Sequence, residues 1–210
     1  MTNLKFTNTI LVCAITAFIA GCAASPQQKL DELLSLDEAH FRDAMTITDD
    51  SLETTVVFST QGGWAEKHGV LGIVWSDSFL RGYIDKQTGH KTFQAYVAMR
   101  HTLGGWAHPY QANYGKPLRT TDVSKVSTDV DCSASDLYGS CKYEEHVVFT
   151  IHPDEVLRIW TEVTPEDFKT KVWKFRIKNQ GTKDYDDGIP LPEMLALVNA
   201  MNEYSYVPMQ

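Results

Sequence analysis

Between Leu52 and Ile177 the apolar positions recur mostly with a period of two, whereas near both ends of the body they recur with helical spacing. That contrast predicts strands in the middle and a helix near each end. At the N-terminal side, KLDELLSLDEAHFRDAM places Leu30, Leu33, Leu34, Phe41, Ala44 and Met45 on one helical face, with Ser25 and Pro26 as start signals upstream. At the C-terminal side, PLPEMLALVNAMNEY aligns Leu191, Met194, Leu195, Val198 and Met201, with prolines in the opening turn. The second helix is expected to pack on a sheet.

Within the middle, TTVVFST alternates and VLGIVW is a short apolar run. FLRGYIDKQTGHKTFQAYVAMRH holds two strand-like runs around Gln87, Thr88 and Gly89, the pattern of a hairpin. KVWKFRIK sets Trp173, Phe175 and Ile177 on one face of a strand beginning at Val172, and NQGTKDYDDGI reads as two turns around a short strand. HPDEVLRIWTEV is either an irregular link or a helix begun by Pro153, with Val156, Leu157 and Trp160 at helical spacing. TLGGWAHPYQANYGKPL is rich in Gly, Pro and aromatics and reads as a long loop, a kind of segment that often carries function. The predicted fold class is α+β: an antiparallel β-rich single domain, a curled sheet or sandwich, with N- and C-terminal helices.

One segment follows neither period. Lys5 and the amino terminus precede a continuous apolar or small run from Ile10 to Ala20. A spanning helix needs roughly 20 residues, so this shorter run reads as a cleavable export signal. At its end Ile19, Ala20, Gly21 and Cys22 resemble the lipobox of bacterial lipoproteins. The resemblance implies cleavage by signal peptidase II and acylation of Cys22, which becomes the first residue of the mature chain. Two or three acyl chains anchor a protein stably without spanning the bilayer. Ala23, where an aspartate marks inner-membrane retention in Gram-negative lipoproteins, implies the outer membrane, facing the periplasm. The expected organisation is a signal peptide over 1–21, a lipidated tether over 22–29 and one periplasmic domain over 30–210.

With Cys13 leaving in the signal and Cys22 acylated, only Cys132 and Cys141 remain to pair, and an oxidising compartment favours a disulfide between them. KVSTDVDC and CKYEEHVVFTI flank that pair as alternating runs. Setting the cysteines opposite each other in an antiparallel hairpin brings Val130 to Tyr143, Thr128 to Glu145 and Val126 to Val147, with the apolar faces coincident. Closing so short a loop stabilises by about 2–3 kcal/mol. The order of elements, with this hairpin followed by a W-x-F-R strand and a C-terminal helix, resembles β-rich lipoproteins of proteobacteria. That resemblance implies no activity.

Charge narrows the partners. Removing residues 1–21 takes one lysine and no acid, leaving 18 basic and 27 acidic side chains, a net charge of −9. Nucleic acid, which rewards clustered Lys and Arg, is disfavoured, as is adhesion to anionic lipid by surface charge. HExxH, GxSxG, SxxK and P-loop signatures are absent from the sequence, so no residue is assigned a catalytic role. No cofactor is implied. No metal site is assigned either: His101 and His108 flank a Gly-Gly turn as a weak ligand pair or as ordinary loop histidines, and DYDDG reads as an acidic turn.

Two features remain open in the sequence. Glu145 falls on the apolar face of its strand, as a tuned acid in a pocket or as a structural carboxylate bonded to Arg, Lys or backbone. Trp106, His108, Tyr110 and Tyr114 form either a ligand surface that stacks on sugar or peptide, or a lid over the core. The expected function is a non-enzymatic lipoprotein that binds an envelope protein or assists envelope assembly. The alternatives are a cell-envelope hydrolase acting through Glu145 or nearby acids, and a small-ligand or metal-binding lipoprotein.

Overall fold

The computed structural model of the chain describes residues 31, 35–63, 78–102, 105–133, 141–164, 166–167 and 172–205. The signal over 1–21, Cys22, the tether, Leu30, Leu33 and Leu34 of the first helix, and VLGIVW over 70–75 lie outside the described residues. Among the described residues, ten strands and three α-helices form an α+β fold with two antiparallel sheets, neither of them closed.

The first sheet contains β1 (Thr46–Thr48), β2 (Thr55–Ser59), β3 (Phe79–Asp85), β4 (Lys91–His101), β8 (Lys142–Ile151) and β7 (Ser124–Asp131), side by side in that order. The second runs β10 (Tyr185–Pro190), β9 (Val172–Asn179), β5 (Pro109–Tyr114) and β6 (Arg119–Asp122). Helix α1 is Glu38–Asp43, α2 is Pro153–Glu162 and α3 is Leu191–Glu203.

Alternation decides the interior. Val97, Val147, Phe149 and Ile151 from the first sheet, with Ala112, Trp173, Phe175 and Ile177 from the second, are all at least nine-tenths buried in one core. Phe149 meets Phe175 edge-on at 5.3 Å and stacks on Tyr114 at 5.8 Å, so β8 faces β9 and β5 directly. One residue, Val123, separates β6 from β7, so the chain passes from one sheet to the other at a corner. The remainder of the first sheet is covered by α3. A Cβ on Gly82 would lie 2.2 Å from the Met201 sulfur, so glycine in β3 allows this helix its close approach.

The β3–β4 hairpin turns through Lys86–Thr88, with Gly89 at a φ of 71°, and β9 starts at Val172 as the pattern predicts. Cys132 and Cys141 are joined in a disulfide beside the β7–β8 pair. Val130 pairs with Tyr143 and Thr128 with Glu145, in the register that the cysteines dictate. Beyond them a bulge intervenes: Ser127 pairs with His146 and Lys125 with Val147, so Val126 does not oppose Val147. Nor is the shared apolar face buried, because every residue of β7 is exposed.

Three other expectations are corrected. The long loop contains β5, whose Ala112 and Tyr114 point into the core; the Gly and Pro residues at its flanks hid a six-residue strand. In α2 the buried face carries Glu155, Val156 and Ile159, whereas Leu157 is 56% exposed and Trp160 reaches Asn199 of α3 through its indole N–H at 2.9 Å. Helix α1 ends at Asp43, leaving Ala44 as its cap and Met45 outside.

Candidate functional site

The predicted aromatic surface divides in the structure. Tyr114 belongs to the core: it is 4% exposed, its hydroxyl donates to the Thr150 carbonyl at 3.2 Å and it accepts from the His152 amide at 3.0 Å. Packed in the core, it also reaches the wall of the groove beside α2. Trp106 is half-buried edge-on against Tyr143 at 5.0 Å, while His108 and Tyr110 are exposed.

Beneath this segment lies Glu145, fully buried. Its carboxylate accepts from the Ala107 amide at 2.6 Å and the His108 amide at 3.3 Å, and His101 Nε2 lies 3.4 Å away. His108 has a φ of 53°, the left-handed conformation that lets two successive amides reach one carboxylate. From the other side the amides of Gln180 and Gly181 donate to the Ala107 carbonyl at 3.0 and 2.9 Å. A Cβ on Gly181 would sit 2.2 Å from the Trp106 carbonyl oxygen, so glycine is required there. Glu145 thus fastens a turn onto the sheet; sealed from solvent, it has no access to substrate.

On the opposite face of the same strand, Glu144 and His146 form a polar relay. His146 Nδ1 lies 2.6 Å from the Tyr96 hydroxyl and Nε2 lies 2.7 Å from Glu144. Arg100 grips the same carboxylate through Nε at 2.8 Å and Nη2 at 3.0 Å. The Arg100 bond, aided by Arg100 and His146 charge, holds the Glu144 carboxyl below its usual range against its desolvation. Glu144 is on the outer face of the strand but only 20% exposed. Parity places these groups together; the sequence gives no sign of their cover.

A groove of about 1060 Å³ lies between α2 and the second sheet, lined by Lys116, Leu118, Arg158, Val172, Arg176 and Asp186, among others. Glu155 forms its inner wall. It accepts from Arg158 at 2.7 and 3.1 Å and from the Trp173 indole at 3.1 Å. Burial pushes this carboxyl up, but Arg158, Trp173 and the Lys116 amide together outweigh it and hold the group below its ordinary range. Further along, Arg176 pairs with Asp186 at 2.8 Å. The groove is amphipathic, and two of its cations, Arg158 and Arg176, are paired with neighbouring acids.

A third buried acid, Glu193, opens α3. Its carboxyl accepts from the Thr60 hydroxyl at 2.5 Å and the Leu80 amide at 3.0 Å. Full desolvation, reinforced by the charge of Asp187, pushes it up to about 8 despite those two donors. Nearby, Asp187 accepts from the Ser78 hydroxyl at 2.5 Å.

Glu155 and Glu193 escaped the sequence reading for one reason: both follow helix-opening prolines, where an acid is unremarkable. The usable signal was the apolar surround, since Glu155 shares a face with Ile159 and Glu193 sits in a helix apolar on nearly every side. Among the described residues, no group of three or more His, Cys, Asp or Glu is arranged to hold a metal ion. Compared with known proteins, the chain matches no family model, no curated protein and no solved structure.

Proposed function

We propose that this chain is an exported lipoprotein, held at the periplasmic face of the outer membrane by acylated Cys22, whose β-rich body is a non-enzymatic binding or envelope-assembly module. The observation that carries the reading is the cysteine pattern. Cys132 and Cys141 are joined in a disulfide, a bond that persists in oxidising compartments, and Cys22 stands at the end of an export-signal pattern. The sealed Glu145 weakens the alternative of hydrolysis through that residue; Glu193 is likewise buried, and Glu155, in the wall of the groove, is held by Arg158 and the Trp173 indole. The groove beside α2 supplies a concave surface suited to a ligand with both apolar and charged groups.

Expression of the full chain in a Gram-negative host tests the anchor. The expected product fractionates with the outer membrane, and its N-terminal peptide carries acyl chains on Cys22 by mass spectrometry. Cys22→Ser should abolish that modification and leave the chain with an uncut signal. A wild-type product without acylation refutes the reading.

A further inference from the structure

The first sheet ends at β7, an eight-residue strand exposed along its whole length. Open strand edges present unpaired backbone groups that template another strand. The Val130 amide donates to Asp129 Oδ1 at 2.9 Å, the local bond of an amide turned toward the open edge. Alternation along the strand turns Thr128 the same way.

The side chains on this strand are self-complementary. Laid antiparallel against another β7 with Thr128 at the centre, Thr128 meets Thr128, Ser127 meets Asp129, Val126 meets Val130 and Lys125 meets Asp131. Two-fold symmetry repeats each of the last three pairs. Val126 and Val130 are 51% and 44% exposed, and Lys125 has no ion pair among the described residues. We infer that β7 is a docking edge for a second copy of this chain, pairing antiparallel about Thr128 and continuing the first sheet across a two-fold axis.

Charge pattern selects this occupant. A strand of one sign would call for a partner of the other, whereas Lys125 at one end and Asp131 at the other match an inverted copy of themselves. Asp129 then exchanges its bond to the Val130 amide for the Ser127 hydroxyl of the second copy. The bulge beside Val126 adds local twist and limits the length of the backbone ladder, so the association is weak, and the two Lys–Asp pairs at the ends of the paired segment matter to it.

Disulfide trapping in the full chain tests this. A Thr128→Cys substitution places two thiols at the axis, where the Cα separation of paired antiparallel strands, about 5.5 Å, suits a disulfide. Mild oxidation should give a covalent dimer on a non-reducing gel, well above both the parent chain and a Leu52→Cys control at a position 89% exposed. In the Thr128→Cys background, Lys125→Asp and Asp131→Lys should each lower the dimer roughly tenfold, because like charges then meet twice. An equimolar mixture of those two chains should restore it, since the introduced aspartate faces the introduced lysine. Restoration also shows that both variants fold. Equal trapping at 52 and 128, trapping at the parent level, or a mixture no better than its components overturns the pairing.

Discussion

Glu155 and Glu193 are each 1% exposed, and each lies in the first turn of a helix begun beside a proline, yet their carboxyls are shifted in opposite directions. Helix position cannot separate them, because both feel the favourable end of a helix dipole. The partners do. Glu155 has a guanidinium and an indole N–H; Glu193 has a hydroxyl, an amide and the unfavourable charge of Asp187. Burial penalises both charges, and a cation at hydrogen-bond distance is what reverses the outcome at the groove. The α2 end of the molecule therefore carries fixed charge, whereas the α3 end carries a carboxyl that is protonated at neutral pH.

The strongest way to break the contrast is to remove the titration of Glu193. Its folded value, about 8, stands above the ordinary 4.5, so the folded state holds a proton that the unfolded state releases between them. Wild-type stability is then full below pH 4.5 and declines as pH rises toward 8. Glu193→Gln should remove that decline and exceed the wild type by roughly 4 kcal/mol at pH 9, with little difference at pH 5. Urea unfolding at both pH values measures this; parallel profiles would refute the shifted carboxyl.

A smaller effect is expected from making Glu155 resemble Glu193. Arg158→Met strands a buried carboxylate and should destabilise the fold by about 3 kcal/mol at pH 7. Adding Glu155→Gln should recover most of that loss. Failure of the double variant to recover would mean that Arg158 acts through packing on α2, and not through its ion pair.

The finest adjustment is Trp173→Phe, which keeps the aromatic packing and deletes the indole donor to Glu155. It should cost about 1 kcal/mol. Its effect should shrink to near zero in the Glu155→Gln background, as a double-mutant cycle would show.

The sequence pattern carries the fold class, the two hairpins around Gly89 and the disulfide, the start of β9 at Val172 and the helix at Leu191. These are local: period, turn chemistry and a short covalent loop. A sandwich of two sheets was one of the two arrangements the pattern allowed, but which strands join which sheet is non-local and was not legible, because Val123 looks like any strand residue although it marks the corner between them. β5 was hidden by neighbouring Gly and Pro, and the pattern left Tyr114 open between ligand surface and lid, whereas two aromatic neighbours, Phe149 and Trp173, bury it. Glu145 was legible as an anomaly. Its partners were not, since the amides of Ala107 and His108 bear no residue-specific signature.

The neighbours β4 and β8 also set the order in which this protein assembles. Arg100 and Glu144 touch across that seam although 44 residues separate them, and β5, β6 and β7 occupy the chain between. A long segment must be gathered before the central pair of the first sheet gives any return, which makes closure of that seam entropically late. The β3–β4 and β7–β8 hairpins close over short stretches and are suited to form first, as two halves awaiting a join. The second sheet has a long closure of its own, since β5 must find β9 across β6, β7, β8 and α2. The interior, lined by both sheets, is complete only when both joins have been made.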